Sequence, residues 1–236
     1  MRLSIIVPVY NEIATIEEIL RRVRAQVIDN VQIEIVVIDD GSTDGTRQFL
    51  DKNPSLYDVF LKNPQNLGKG GAVKEGLTAA TGDYVLFQDA DLEYDPSDYC
   101  KLLAPVIRFG AEVVMGSRFL APAWTRIFYF RHKVGNLVIT TWFNLLYNTT
   151  WTDVYSCYLL FRRDLVTSQK LRTTGWEQHA EILALSCLRG ERFYEVPISY
   201  NGRSYDEGKK IQWYHFFRIL LTMVRVRVFR RRSKTM

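Results

Sequence analysis

The chain has 236 residues, 47% hydrophobic and 24% charged, with no low-complexity stretch, linker or internal repeat, the composition of a folded protein that forms one large domain or two small lobes. Its formal charge of +5 is unevenly spread. Most acids fall in the first hundred residues, in the runs Asp39-Asp40, Asp44, Asp89-Ala90-Asp91 and Glu93-Tyr94-Asp95, whereas Arg225 to Lys234 is strongly basic. This split predicts a metal or nucleotide site at the front and an anionic partner at the back, either nucleic acid or a membrane surface. The cysteines, Cys100, Cys157 and Cys187, have the spacing of neither a disulfide framework nor a zinc knuckle, which points to a reducing compartment. The apolar run at the amino terminus is too short for a signal peptide, and no stretch of about 18–20 apolar residues predicts a transmembrane helix. The expectation is a protein that is soluble or rests on a membrane.

In chain order, Leu3 to Val9 reads as a short β-branched strand. From Glu12 to Val27 the apolar residues Ile13, Ile16, Ile19, Leu20, Val23 and Val27 recur at helical spacing. Ile33 to Ile38 is a buried-strand run closed by Asp39-Asp40-Gly41-Ser42, after which Thr43 or Asp44 can cap a helix. Val59 to Leu61 is a weaker strand, followed by a Gly-rich turn, a helix from about Lys69 to Ala80 and a strand from Tyr84 to Gln88. A helix from about Pro96 to Phe109 leads into a strand from Glu112 to Gly116. Five alternations of strand and helix predict a mostly parallel sheet covered on both faces, with ligands outside the carboxyl ends of its strands. Asp39-Asp40, Asp89-Asp91 and Gly116-Ser117-Arg118 all fall there. Beyond Arg118 come an aromatic, basic segment, a strand from Cys157 to Phe161, a helix from Glu177 to Leu188 and a strand from Phe193 to Ser199. A polar loop, Asn201 to Lys210, and an apolar, basic helix from about Ile211 to Phe229 close the chain.

Two carboxylates two residues apart at a strand end, Asp89 and Asp91, can share a hard cation that also bridges phosphates; an Asp-rich turn with Asp91 as a helix cap is the plainer alternative. Pro8-Val9-Tyr10-Asn11-Glu12 offers a ring and polar groups to a nucleoside, or merely a helix start with Asn11 as its cap. Asp39 to Thr46 offers a carboxylate to a base or ribose, or a capped turn. Asn66-Leu67-Gly68-Lys69-Gly70-Gly71-Ala72 fails both the Walker spacing and the Gly-x-Gly-x-x-Gly spacing, so close backbone packing and helix initiation are its expected roles. His132, His179 and His215 have no metal-ligand spacing and read as ordinary residues.

Taken together, Val7 to Glu12, Val37 to Asp44, Asn66 to Gly70 and Gln88 to Asp91 resemble, in order and spacing, the motif series of family 2 glycosyltransferases over roughly residues 3–118. Gly116-Ser117-Arg118, Thr152-Asp153, Cys157-Tyr158, Glu195-Val196-Pro197-Ile198 and Tyr200 to Ile211 are similar to the branch of dolichol-phosphate mannose synthases and polyprenyl-phosphate sugar transferases. The resemblance implies a Rossmann-like α/β GT-A fold, a mostly parallel sheet flanked by helices, and amphipathic helices in the C-terminal half. Residues 1–118 would be the nucleotide-sugar part and 119–236 the acceptor part of one catalytic domain.

The implied reaction is inverting transfer of a hexose, mannose or glucose, from GDP-mannose or UDP-glucose to a polyprenyl or dolichyl phosphate, with Mg2+ or Mn2+. Pro8, Tyr10, Glu12, Ile38, Asp40 and Lys69 would line the nucleotide-sugar pocket together with Asp89, Ala90 and Asp91, and Arg203 and Lys209 would join from the loop that closes over it. Asp89 and Asp91, assisted by Glu93, would hold the metal; Arg118, Arg131 and Arg203 would surround the phosphates, and Asp153 would stand near the acceptor. A phosphate acceptor is mostly a dianion at neutral pH, with a second pKa of about 6, so it needs cations rather than a strong base.

In the last helix His215, Arg218, Thr222 and Arg225 form one polar stripe, and apolar residues cover the rest, as in a helix lying in a membrane interface; Arg126 to Tyr147 has similar content. Core packing is the alternative for both. The expected location is the cytoplasmic face of a membrane, reached peripherally or through a membrane-anchoring subunit, with self-association a further option. Two other readings compete: a family 2 transferase adding sugar to a growing polysaccharide, and a non-catalytic basic membrane-binding module. Nucleic acid is set aside as a partner, because no RNA-binding motif accompanies the aromatics.

Overall fold

The computed structural model describes residues 1–120, 126, 130–202 and 215–229. The chain runs β1 (Arg2–Val9), α1 (Ile16–Arg24), β2 (Gln32–Asp39), α2 (Thr46–Lys52), β3 (Val59–Lys62), α3 (Lys69–Ala79) and β4 (Tyr84–Phe87). It continues through α4 (Tyr99–Phe109), β5 (Val113–Ser117), α5 (Phe130–Tyr147), β6 (Leu159–Arg162), α6 (Gln178–Arg189), β7 (Phe193–Pro197) and α7 (His215–Phe229). The strands form a single sheet ordered β3-β2-β1-β4-β6-β5-β7. All pairings are parallel except those of β6, which runs against β4 and β5.

Apolar continuity explains the middle of the sheet. Ile5 to Val7 in β1 and Ile35 to Ile38 in β2 are fully buried on both faces, as a strand covered by helices on each side requires. The chain moves outward from β1 to β3 and then returns to place β4 on the other flank of β1. The carboxyl ends of β1 and β4 therefore diverge at a switch point, where a crevice must open. The reversed direction of β6 has a local cause. After β5 the chain does not cross back under the sheet; α5 spans the carboxyl side, so the next strand enters from that side.

The helices at the carboxyl side differ from the expected amphipathic pattern. In α7, Ile219, Met223 and Val226 are buried, and so is Thr222 at 6% exposure, which removes it from the polar stripe read from spacing. The outer face carries Arg218 and Arg225 with Phe217, Leu221, Val228 and Phe229. In α5, Ile139, Phe143 and Tyr147 face inward, and the Tyr147 hydroxyl donates to the Met223 carbonyl at 2.8 Å. Each helix thus has one face in the core and leaves a second apolar face outside. Helix α1 also starts later than expected, at Ile16, leaving Ile13 and Val27 exposed outside it, because residues 11–13 are tied to the turn after β2.

At the opposite end of the sheet Glu34 closes the structure. Its buried carboxylate accepts from Ser4, from Arg2 at 2.8 Å, and from the Thr81 amide and hydroxyl at 2.9 and 2.7 Å. Burial pushes its pKa up, but these donors and the Arg2 charge outweigh it and hold the carboxyl below its usual value of 4.5. A lowered folded-state pKa means that the contribution is complete above the ordinary value and is lost as pH falls through the lowered one. Glu34→Gln should therefore cost about 1–3 kcal/mol in urea unfolding at pH 7. The difference from wild type should shrink when the measurement is repeated below pH 4.5.

Candidate functional site

The crevice predicted by the topology is a cavity of about 1090 Å³. Pro8, Tyr10 and Glu12 line it from the end of β1, Asp40 from the end of β2 and Lys69 from the start of α3. Asp89, Ala90, Asp91 and Glu93 line it from the turn after β4, Arg118 from the end of β5 and Arg131 from the first turn of α5. Residues picked from scattered motifs are thus brought to one space. Two are not at the wall: Ile38 is fully buried inside β2, and Asp153 is fully buried behind Arg118. Arg203 and Lys209, with the loop predicted to close over the site, lie outside the described residues.

The first two loops are laced together. Asn11, with φ +53, accepts from the Thr43 amide at 2.8 Å, and its own amide donates to Ser42 Oγ at 3.0 Å. The Glu12 amide donates to Thr46 at 3.1 Å and the Ile13 amide to Asp44 at 3.1 Å. Asn11 is therefore a tie between loops rather than the cap of α1, whose N-cap is Thr15. Asp40 is buried and accepts from Asn63 Nδ2 at 2.8 Å and the Leu67 amide at 2.9 Å, which fixes the loop leading into α3.

The acidic turn is set from below by Gln88. Its buried amide oxygen accepts from the Tyr99 and Tyr158 hydroxyls, both at 2.7 Å, while its nitrogen donates to the Asp89 carbonyl at 2.9 Å. Leu92 sits at φ +61, a strained setting for a branched side chain, and the Glu93 amide reaches back to Asp91 Oδ1 at 3.1 Å. Glu93 accepts from the Tyr200 hydroxyl at 2.8 Å. Asp91 is thus a turn residue as well as a cavity residue, and the helix cap falls later, at Asp98.

Asp89 is paired with the ammonium of Lys69. Burial would raise the Asp89 pKa, but the Lys69 charge and hydrogen bond outweigh it and hold the carboxyl down. Burial would likewise lower Lys69, and Asp89 outweighs it to keep the amine protonated. Lys69 is the first residue of α3, and the run of glycines around it is there for close approach: a Cβ on Gly70 would lie 2.5 Å from the Thr174 carbonyl. This packing brings Trp176 alongside, its ring centroid 5.4 Å from Lys69 Nζ.

On the far wall Arg118 is held by Asp153 through two parallel bonds, Nε to Oδ2 at 2.7 Å and Nη2 to Oδ1 at 2.8 Å. Asp153 also accepts from Asn136 of α5 at 3.1 Å, and its amide donates to Glu195 of β7 at 3.1 Å. The guanidinium lies 5.0 Å from the Tyr200 ring centroid. Among the described residues no three His, Cys, Asp or Glu side chains converge into a ready-made metal cage. What the turn offers a cation is the pair Asp89 and Asp91. That donor set suits Mg2+ or Mn2+, which takes one or two carboxylates and fills its shell with water and substrate phosphates.

A strand-end carboxylate pair, a nucleoside-sized crevice at the switch point and a match of residues 4–168 to the model for glycosyl transferase family 2 point the same way. The chain belongs to glycosyltransferase family 2. Among its relatives, glycosyltransferase AglJ of Haloferax volcanii is 32% identical over 84% of this chain and 63% of its own length. The dolichol-phosphate mannosyltransferase of Pyrococcus furiosus is 28% identical over 93% of this chain and 64% of its own length. The chain thus spans less than two thirds of these two proteins. A dolichyl-phosphate N-acetylglucosaminyltransferase of Methanococcus voltae, which uses UDP-N-acetylglucosamine, is 29% identical over 92% of this chain and 94% of its own length. The glucosyl-3-phosphoglycerate synthase of Mycobacterium tuberculosis, crystallised with Mn2+, UDP-glucose and phosphoglyceric acid, covers 96% of this chain and 79% of its own, at 21% identity and a TM-score of 0.69. The fold is therefore GT-A.

This family 2 site contains residues that spacing did not single out. Trp176, Asn136 and His179 all line the cavity, beside Cys157 of the Cys157-Tyr158 motif. His179, read from sequence as ordinary, is pushed down to about 4 by burial and by the nearby Lys69 charge, so it is neutral at pH 7. Its Nε2 is buried and has no hydrogen-bond partner among the described residues. The one sequence signal for this wall was an aromatic and a histidine at the start of a helix.

The Arg118–Asp153 pair yields a direct test. Asp153→Asn leaves a largely buried guanidinium without its counter-charge and should cost about 3 kcal/mol in urea unfolding. The double variant Arg118→Met/Asp153→Asn should regain part of that loss, because the orphaned charge is gone; equal losses would show that the pair is not the cause.

Proposed function

We propose that this glycosyltransferase moves a hexose from a nucleotide sugar, GDP-mannose or UDP-glucose, to a polyprenyl or dolichyl phosphate. The transfer would be inverting, would use Mg2+ or Mn2+, and would take place at the cytoplasmic face of a membrane. The observation that carries the reading is a single cavity with carboxylates on one wall and arginines on the other, flanked by helices whose outer faces are apolar. The names of the Pyrococcus and Methanococcus relatives support a lipid-phosphate acceptor, and they differ in the sugar.

Each side chain then has a task. A divalent cation, when bound, supplies positive charge to the departing nucleoside diphosphate. Asp89 and Asp91 would hold that cation, with Glu93 buttressing the turn through Tyr200. Pro8, Tyr10, Glu12 and Asp40 would form the nucleoside end of the cavity. Arg131, on the first turn of α5, would draw in the acceptor phosphate, and Arg118 would add charge while Asp153 keeps its guanidinium in place. The acceptor oxygen arrives already ionised, so the site needs no strong base.

Membrane contact is supported by Phe130, Leu137 and Leu145 on α5, exposed at 77, 62 and 74%, and by Phe217, exposed at 66%, on α7. Exposed apolar groups of this size flanked by Arg218 and Arg225 suit a helix lying in a lipid interface. Among the described residues no helix is long and apolar enough to cross a membrane.

Two measurements check the reading. Purified protein offered GDP-mannose, UDP-glucose or UDP-N-acetylglucosamine with a short polyprenyl phosphate should form product with one donor. That product should be lost in EDTA and reduced at least about a hundred-fold by Asp91→Ala, the scale of losing a charge stabiliser at the reacting group; transfer that survives chelation rejects the metal role. In flotation with anionic liposomes the wild-type chain should rise with the lipid, and Leu137→Glu/Leu145→Glu should stay behind. Unchanged flotation of that variant removes the membrane role from α5.

A further inference from the structure

Lys69 occupies the position in which a cation is wanted. Its ammonium is bonded to Asp89, the first of the two strand-end carboxylates, and the contact is sheltered, with side-chain exposures of 30% and 19%. In that same position the ammonium lies 5.4 Å from the centroid of the Trp176 ring, which also lines the cavity. The lysine backbone is fixed: α3 begins at Lys69, and Gly70 is wedged against Thr174 and Gly175. Only the side chain is able to move.

Charge counting gives the consequence. With Lys69 in place, Lys69, Asp89 and Asp91 sum to −1, and a free divalent cation that approaches Asp89 meets an ammonium already bound there. A cation arriving with a diphosphate brings new acceptors for that ammonium. We propose that Lys69 is an exchangeable counter-ion: it neutralises Asp89 in the empty site, then passes to the donor's diphosphate when the metal takes the carboxylate. Metal and nucleoside diphosphate would then each bind better in the presence of the other, by the same factor. The inference rests on the nucleotide-sugar reading above, and it assigns Lys69 a positioning role that a simple phosphate-binding lysine would not have.

The two cases differ in how the protein binds metal without nucleotide. Mn2+ is titrated calorimetrically into the full chain, alone and with saturating UDP or GDP. Wild type should bind Mn2+ weakly alone and at least about ten-fold more tightly with one of the nucleotides. Lys69→Met should bind Mn2+ alone about ten-fold more tightly than wild type, and the gain from nucleotide should fall to about three-fold or less. Mn2+ alone should also raise the Tm of Lys69→Met more than that of wild type. Lys69→Gln carries the same expectations should the methionine variant fail to fold, and Lys69→Arg should behave as wild type. If removing the ammonium leaves nucleotide-free Mn2+ binding unchanged or weaker, the exchange is overturned while the metal assignment stands. If wild type binds no Mn2+ even with nucleotide, or if Asp89→Asn binds it as well as wild type, the assignment of the carboxylates falls and the exchange with it.

Discussion

The bidentate pair between Arg118 and Asp153 joins the parts of this molecule that the sheet alone would leave separate. Arg118 ends β5, Asp153 precedes β6, Asn136 brings in α5, and Glu195 brings in β7 through the Asp153 amide. Three segments thus converge on a fourth at one residue, Asp153, which has no exposed surface. Burying that charge is costly, and the cost is offset only because every partner is present together. The far wall of the cavity is therefore held by contacts that depend on one another.

The near wall obeys different physics. There the strands themselves deliver the groups, because a parallel sheet places the ends of β1, β2 and β4 side by side, and the residues just past each end must face the crevice. Gln88 illustrates how the sheet sets the site: a buried amide satisfied by two tyrosine hydroxyls passes its fixed position to the backbone of Asp89. The strained Leu92 then lets two acidic residues share one short turn.

This contrast explains what could be read from the amino-acid order. The sheet, the five alternations and the two acidic clusters were legible, since each strand is a local apolar run and each cluster immediately succeeds one. The convergence of Lys69 with Trp176 was not, because about a hundred residues separate them and only a glycine run hinted at close backbone approach. Asn11 looked like a helix cap but bonds across two loops, whereas Asp44 does both, accepting from the Thr46 amide that opens α2 and from the Ile13 amide of the neighbouring loop. The inward turn of Thr222 shows the limit of periodicity: a helix with apolar groups on two faces has no single stripe from which to judge which side is buried. Asp153 stood out within its Thr152-Asp153 motif, but its pairing with Arg118 did not, because 35 residues separate the two.

The antiparallel course of β6 carries one more implication. Because α5 crosses the carboxyl side and touches the core through only a few residues, Ile139, Phe143 and Tyr147 among them, the sheet does not depend on its outward chemistry. Evolution can redraw that outward face, exchanging greasy for charged or lengthening it, while the acidic turn beneath keeps its shape. Change on such a scaffold is accordingly better tolerated along the outside of α5 than in the bend that follows β4.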